Sequence, residues 1–382
     1  MNIDKSDWVK TKLGVVATEY SKRINDPSNS EFDRFVGSNN IGQWDFTIKS
    51  WETTDSVSSA MKIFEENDYL LVRRSLYASD FRERAPRANF SGICSGDIIT
   101  IKENSEYLID GFLIVILNSP QLWKFIVANA SGSITRRIKW KDLSNYEFLL
   151  PPRKEQSKIS NLFWSKHDCI TLNEELKNKA VRLKNVIQRK FFEGKVISKL
   201  AIGNVANVYS GGTPNRKEPS YWGDDIPWIK TGEVNYGTIM DTEESISHLG
   251  LKKSSARLIP KNSVLVAMYG QGVTRGRVAL TGVEATCNQA SAIIVPKDLF
   301  LSEFIFYYLE FKYEELRSLA HGANQQNLNL QMIKSFEIPD FSIDMQSEVV
   351  GELHHVSQCI RSINEKIKSS ETLKENLLRQ VY

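Results

Sequence analysis

The sequence predicts an α+β fold. Two tandem mixed α/β domains are each followed by a long helix, and the two helices pair as an antiparallel coiled coil with pseudo-two-fold symmetry. Three observations predict this. The 382-residue chain repeats itself at a spacing of 189–190 residues. Each repeat opens with short β-type runs punctuated by Gly, Pro and Asn. Each closes with a long proline-free stretch in which charges interleave with a periodic apolar set.

The repeat is read directly from matched segments. LGVVATEYS from Leu13 aligns with IGNVANVYS from Ile202. SGSITRRIKWKDLSNYEF from Ser131 aligns with HGANQQNLNLQMIKSFEI from His321. The second alignment continues without a gap, so that Gln156 falls on Gln346, Cys169 on Cys359, Leu183 on Leu373 and Arg189 on Arg379. The middles of the two copies have diverged most. The expected boundaries are a first domain at 1–152, a first long helix at 153–196, a second domain at 197–342 and a second long helix at 343–382.

Within the domains, YLLVRRSLY, GDIITI, SVLVAMY and SAIIVP read as strands. PQLWKFIVANA and SEFIFYYLEFKYEELRSLA read as helices. The first long helix carries Leu162, Cys169, Leu176 and Leu183 at seven-residue intervals. The second carries Val349, Val356, Ile363 and Leu377 on one such grid and Leu353, Ile360, Ile367 and Val381 on another. These are coiled-coil-like stripes. Each helix spans about 55 Å at 1.5 Å per residue, and a lone amphipathic helix of that length needs a partner for its stripe. Asn173, Ser370 and Lys374 interrupt the stripes, where polar residues fix register at a cost in stability. Antiparallel pairing puts the two domains at opposite ends, related by a pseudo-two-fold axis. DNA has local two-fold axes, and dimeric readers use them to reach two separated half-sites. One duplicated chain can do the same with two different half-sites.

Composition is that of an ordinary soluble protein, with 41% hydrophobic and 25% charged residues and a formal charge of +3. The opening MNIDKSDWVKTKLG has no apolar core and no run reaches spanning length, so the expected location is the cytoplasm. Cys94, Cys169, Cys287 and Cys359 form no C-x-x-C pair and read as reduced, buried thiols. Catalytic motifs are missing. GQGVTRGR lacks the lysine and spacing of a phosphate-binding P-loop, and Arg275 stands where G-x-G-x-x-G needs its third glycine. His354-His355 lacks metal-ligand spacing. Asp224-Asp225 and Glu243-Glu244 read as solvated turn charges. The chain is therefore read as no enzyme, with no metal site and no cofactor of its own.

Binding signals are stronger. VRRSLYASDFRERAPR places Arg73, Arg74, Arg82 and Arg87 around Tyr77, and arginine forks suit phosphates and guanine edges. A surface salt-bridge cluster is the plain alternative. Its counterpart in the second copy, VLVAMYGQGVTRGR, offers Tyr269, Gln271, Thr274, Arg275 and Arg277 among glycines that let backbone approach a phosphate. A ligand-free glycine turn is the alternative there. A third loop keeps its frame and exchanges its contents: Thr135, Arg136 and Arg137 in the first copy, and Asn324, Gln325, Gln326 and Asn327 in the second. Two modules with different target bases would differ in this way. Ser38, Asn39 and Asn40, and Lys230 and Thr231, complete the candidate DNA-binding set.

GNVANVYSGGTPNRKEPSYWGDDIPWIKTGEV, from Gly203 to Val234, resembles the opening of a target recognition domain in the specificity subunit of type I restriction-modification systems. LPPRKEQSKIS at the first junction resembles that family's link from domain to helix. The first domain has YSKRINDPSNS and DRFVGSNNIG in place of the G-G-T-P and P-W segments. The resemblance implies a non-catalytic subunit that reads a split, asymmetric sequence in double-stranded DNA, its helices setting the spacer. It also implies two modification subunits that methylate adenine with S-adenosylmethionine, and an optional pair of restriction subunits using ATP and magnesium. No membrane partner is expected. The rival reading is a coiled-coil scaffold that binds proteins instead of DNA.

Overall fold

The computed structural model describes residues 4–57, 59–75, 82–133, 135–194, 198–270, 272–320 and 327–382. It divides into two compact units, Met1–Glu175 with Asn364–Tyr382, and Leu176–Ile363.

In the first unit the runs read as strands pair with each other. Ile98–Glu103 lies antiparallel between Tyr69–Val72 and Ala17–Glu19, with Ile98 opposite Val72 and Ile101 opposite Glu19. A second sheet has the order Lys22–Ile24, Met61–Phe64, Gly92–Cys94, Arg34–Val36, Glu52–Thr53. One parallel pair sits inside it, with Val36 opposite Cys94. The helix Pro120–Asn129 starts with proline at its first turn, and the Ser119 hydroxyl accepts from the Leu122 amide, the expected start signals.

The second unit repeats the plan. Ser291–Pro296 lies between Val264–Ala267 and Ala206–Ser210, and a parallel pair sets Ile229 opposite Cys287. Cys94 and Cys287 therefore hold the same place, although the middles of the copies run out of step in sequence. Burial pushes both thiols up to about 12. Cys169 and Cys359 depart from expectation, because both are exposed on the long helices. The stretch read as one helix after Ser302 breaks at Lys312 into Ser302–Phe311 and Tyr313–Ser318.

The two long helices are Arg153–Phe192 and Ile343–Val381. Within the first unit, Ile159 and Phe163 near the start of the first helix share a core with Leu377, Leu378 and Val381 at the end of the second. Within the second unit, Ile187 and Phe192 at the end of the first helix share a core with Val349 and Leu353 at the start of the second. Start meets end in both units, so the helix segments pair antiparallel. The apolar grid of the second helix lies on its buried side, with Val349, Leu353, Ile363, Leu377 and Val381 all below one-tenth exposed.

The grid of the first helix is a correction. Leu176 and Leu183 are about half exposed, at 50% and 52%, and Cys169 is exposed. The buried face is instead Gln156, Ile159, Phe163, His167 and Ile170, then Ile187, Gln188 and Phe192. Gln156 to Ile170, and Gln188 to Phe192, recur at the three- and four-residue steps of an α-helix. Seven-residue spacing does not say which face is buried, and the true face contains polar residues that an apolar search passes over.

Those polar residues tie helix to domain. The Gln156 carbonyl oxygen accepts from the Ile109 amide at 3.0 Å, and its amide nitrogen donates to the Tyr107 and Pro151 carbonyls. Gln346 does the same with the Leu301 amide at 2.9 Å and the Leu299 and Phe341 carbonyls. Lys374 donates to the Trp44 carbonyl at 2.8 Å and lies 4.8 Å from the Phe46 ring centroid. Asn173 instead donates to the Cys169 carbonyl of its own helix.

His167 stacks on Phe46 and sets Nε2 3.2 Å from the Thr47 hydroxyl. Burial, helped by the charge of Lys374, holds its imidazole below the ordinary value of 6.5. The folded chain thus binds this proton less readily than the unfolded chain. Its contribution to stability is complete above about pH 6.5 and is lost as pH falls through the lower folded value. Chemical unfolding at pH 8 and pH 5.5 should show a loss in acid that is smaller in His167→Gln. An equal loss in the variant would remove His167 as the cause.

Candidate nucleic-acid interface

The candidate residues of the first unit gather where two loops meet. The Arg73 amide donates to the Asp97 carbonyl, and the Ile138 amide donates to the Arg73 carbonyl. Arg74 then pairs with Arg137, and Ser75 with Arg136, as a short antiparallel ladder. This brings Arg73, Arg74, Thr135, Arg136 and Arg137 together. Arg74 Nη1 lies 2.7 Å from one Asp97 oxygen and Arg137 Nε 2.9 Å from the other. Arg137 also donates to the Thr135 hydroxyl at 2.8 Å. Arg136 donates twice to the Ala130 carbonyl. Burial works against the ionised Asp97 carboxyl, but hydrogen bonds from Arg137 and Arg74 outweigh it and hold the group below the usual carboxylate range.

Ser38, Asn39 and Asn40 form one 3-10 turn after Arg34–Val36. The Asn40 side chain accepts from the Gly37 amide at 2.7 Å, while Asn39 is exposed. Arg82 is exposed. Arg87 belongs elsewhere. Its guanidinium pairs with Asp110 at 3.1 Å, and its side chain is only 16% exposed. Neighbouring Gly111 accepts from the Trp164 indole of the first long helix. Arg87 is thus committed inside its domain, and no described contact joins it to Arg74 or Arg137. Tyr77 lies outside the described residues.

In the second unit the Met268 amide donates to the Ala290 carbonyl, and the Leu328 amide donates to the Met268 carbonyl. These are the contacts of Arg73, so the same two loops meet in the same way. Tyr269 is 46% exposed beside this junction. The glycine-rich loop turns on Gly270, Gly272 and Gly276, all at positive φ, a conformation that glycine adopts without steric cost. It is anchored from beneath. The Tyr313 hydroxyl donates to the Val273 carbonyl at 2.5 Å and accepts from Arg317 at 2.7 Å. Thr274 and Arg275 are half-buried, and Arg277 lies 5.9 Å from the Tyr236 ring centroid. Gln271, Asn324, Gln325 and Gln326 lie outside the described residues.

Lys230 and Thr231 sit at a 3-10 turn that matches the turn at Ser38–Asn40. Both are engaged. Lys230 pairs with Glu243 at 3.0 Å and Glu244 at 2.6 Å, and the Thr231 hydroxyl donates to Asn288 at 2.8 Å. The G-G-T-P to P-W stretch is held by packing. A side-chain carbon at Gly211 would fall 2.1 Å from the Cys287 carbonyl, and one at Gly212 would fall 2.4 Å from the Ser255 backbone. The Trp228 indole donates to the Gly212 carbonyl at 3.0 Å. Arg216 lies 3.8 Å from the Trp222 ring centroid and 4.7 Å from that of Trp228. Sequence reading missed Asp97 and Tyr313, which organise the two loop clusters. Neither belongs to a motif, and only strand and helix pairing reveals them.

Among the described residues, no cluster of His, Cys, Asp and Glu could hold a metal ion, and no helix is long and apolar enough to cross a membrane.

Comparison with known proteins bears on the domain and the fold. Residues 197–371 match the model of the type I restriction modification DNA specificity domain. The MjaIX specificity subunit of Methanocaldococcus jannaschii is 30% identical over 179 residues, covering 46% of this chain and 40% of that protein. The EcoR124I/EcoR124II specificity subunit of Escherichia coli is 26% identical over 189 residues, covering 48% and 46%. The chain thus matches less than half the length of these curated relatives. In fold it resembles the type I S subunit of M. genitalium, with a TM-score of 0.66 at 14% identity over 98% of this chain and 96% of that one. It also resembles a chain from a structure of type I system assembly and conformational transition, with a TM-score of 0.56 at 17% identity over 97% and 96%. Residues 197–371 thus resemble a type I restriction modification DNA specificity domain, and over nearly its whole length the chain shares the fold of the M. genitalium S subunit.

Proposed function

We propose that this chain is the DNA-reading subunit of a type I complex, with residues 1–152 and 197–342 each reading one half of a split, asymmetric sequence in double-stranded DNA. The observation that carries this reading is one frame holding two chemistries. The loop junction at Arg73 and Ile138 recurs at Met268 and Leu328, yet the first carries Arg74 and Arg137 where the second carries Tyr269 and Asn327. Equal placement with unequal hydrogen-bonding groups suits two half-sites of different sequence. The long helices set the spacer and receive two modification subunits, with two restriction subunits as an optional addition. S-adenosylmethionine, ATP and magnesium belong to those partners. This chain recognises and positions, and performs no chemistry. The complex works in the cytoplasm.

The glycine-rich loop would present Thr274, Arg275 and Arg277 to DNA, with Tyr313 holding the loop in place. Arg275→Ala with Arg277→Ala should weaken DNA binding by the assembled complex and leave co-purification with the modification subunits unchanged. Loss of two phosphate contacts lowers the slope of log affinity against log salt by about 2. Unchanged affinity and slope across a salt titration would sink this placement of the loop.

A further inference from the structure

This inference rests on the DNA-recognition reading above and names the base that one of its sites takes. Asp97 stands at the turn into the strand Ile98–Glu103, its side chain 18% exposed. Its two oxygens hold Arg74 at 2.7 Å and Arg137 at 2.9 Å, and both arginine side chains remain 40% exposed. The contacts described for Arg74 use Nη1 alone, and those of Arg137 use Nε and Nη1. Two guanidinium groups are thus oriented by a carboxylate, with further donors unused among the described residues.

The choice of ligand follows from charge. A phosphate is best held by uncompensated cations, and here a carboxylate sits between the two arginines. Guanine presents neutral acceptors, O6 and N7, to a two-pronged donor. Ordering long side chains before binding removes part of the entropy cost of fixing them. The second unit lacks the device. Ala290 occupies the place of Asp97, as its carbonyl contact with Met268 shows, and Tyr269 and Asn327 replace the two arginines.

We propose that Asp97 is a positioning residue that presets Arg74 and Arg137 to read a guanine in the half-site bound by the first domain. The test is a methylated-adenine map of the full chain co-expressed with its cognate modification subunit, for wild type, Asp97→Ala and Arg74→Lys. Arg74→Lys keeps the charge and the pairing with Asp97 but loses the fork. The expected result is a G·C pair in one half of the motif, with discrimination there falling about ten- to a hundredfold in both variants. The other half should keep its specificity. The proposal is overturned if the affected half contains no guanine. It is equally overturned if both variants lower methylation evenly at every sequence, which is the mark of a phosphate contact. Should the Asp97→Ala complex not assemble, Arg74→Lys decides alone, and wild-type discrimination in it overturns the proposal. A wild-type complex that assembles but methylates no split motif removes the recognition reading itself, and this proposal falls with it.

Discussion

Phe192→Ala should cost the second unit about 4 kcal/mol, although Phe192 belongs to the helix that follows the first domain. Its ring is 5% exposed and meets Tyr308 edge-on at 5.1 Å, with Phe311 at 5.5 Å and Phe304 at 6.1 Å. Truncation removes an aromatic side chain from a core that Ser302–Phe311 and the start of the second long helix also build. Such a cavity relaxes only in part, which puts the cost at the high end for a point change. Hydrogen exchange locates the damage. Protection should fall in Val264–Ala267 and Ser291–Pro296 and persist in Tyr69–Val72. Damage confined to the first unit would contradict the pairing of helix end with second domain.

Gln346→Ala should cost about 3 kcal/mol. The side chain is fully buried and makes three hydrogen bonds to backbone groups. Removing it leaves the Leu301 amide and the Leu299 and Phe341 carbonyls without these part-buried bonds, and opens a cavity where the buried side chain stood. Gln346→Leu restores volume but none of these bonds, and should be nearly as destabilising as alanine. Gln156→Ala should behave alike in the first unit, since its three bonds match one for one. Urea unfolding of the three variants checks this. A leucine variant close to wild type would show that packing, not hydrogen bonding, holds the helix start.

These two predictions mark what the sequence made legible. The duplication was readable because flanking segments such as Gln156 and Gln346 align without a gap, and the structure gives that match a physical reason. The strands read from YLLV, GDIITI, SVLVA and SAIIVP pair with each other as buried runs bounded by turns should. The middles escaped alignment. Cys94 and Cys287 share a place in parallel strand pairs, but loops of different length between them break the register. The buried face of the first long helix escaped because Gln156 and His167 lie on it while Leu176 and Leu183 do not.

The candidate site was legible as chemistry and not as geometry. Arginine-rich and glycine-rich segments stand out by composition. That Arg74 meets Arg137 depends on an antiparallel ladder between distant segments, and that Arg87 turns to Asp110 depends on how its domain closes. Neither follows from local sequence. Lys230 shows the same limit. It stands in the candidate DNA-binding set, and Glu243 and Glu244, distant in sequence, both hold it.

Under the proposed function, one chain reads two different half-sites. The most direct measurement is the methylome of a host lacking adenine methylation, in which this chain is co-expressed with its cognate modification subunit and methylated adenines are mapped by long-read sequencing. The expected result is one split, asymmetric motif with a methylated adenine on each strand and a fixed spacer. A stable co-purified complex that methylates no such motif would contradict it.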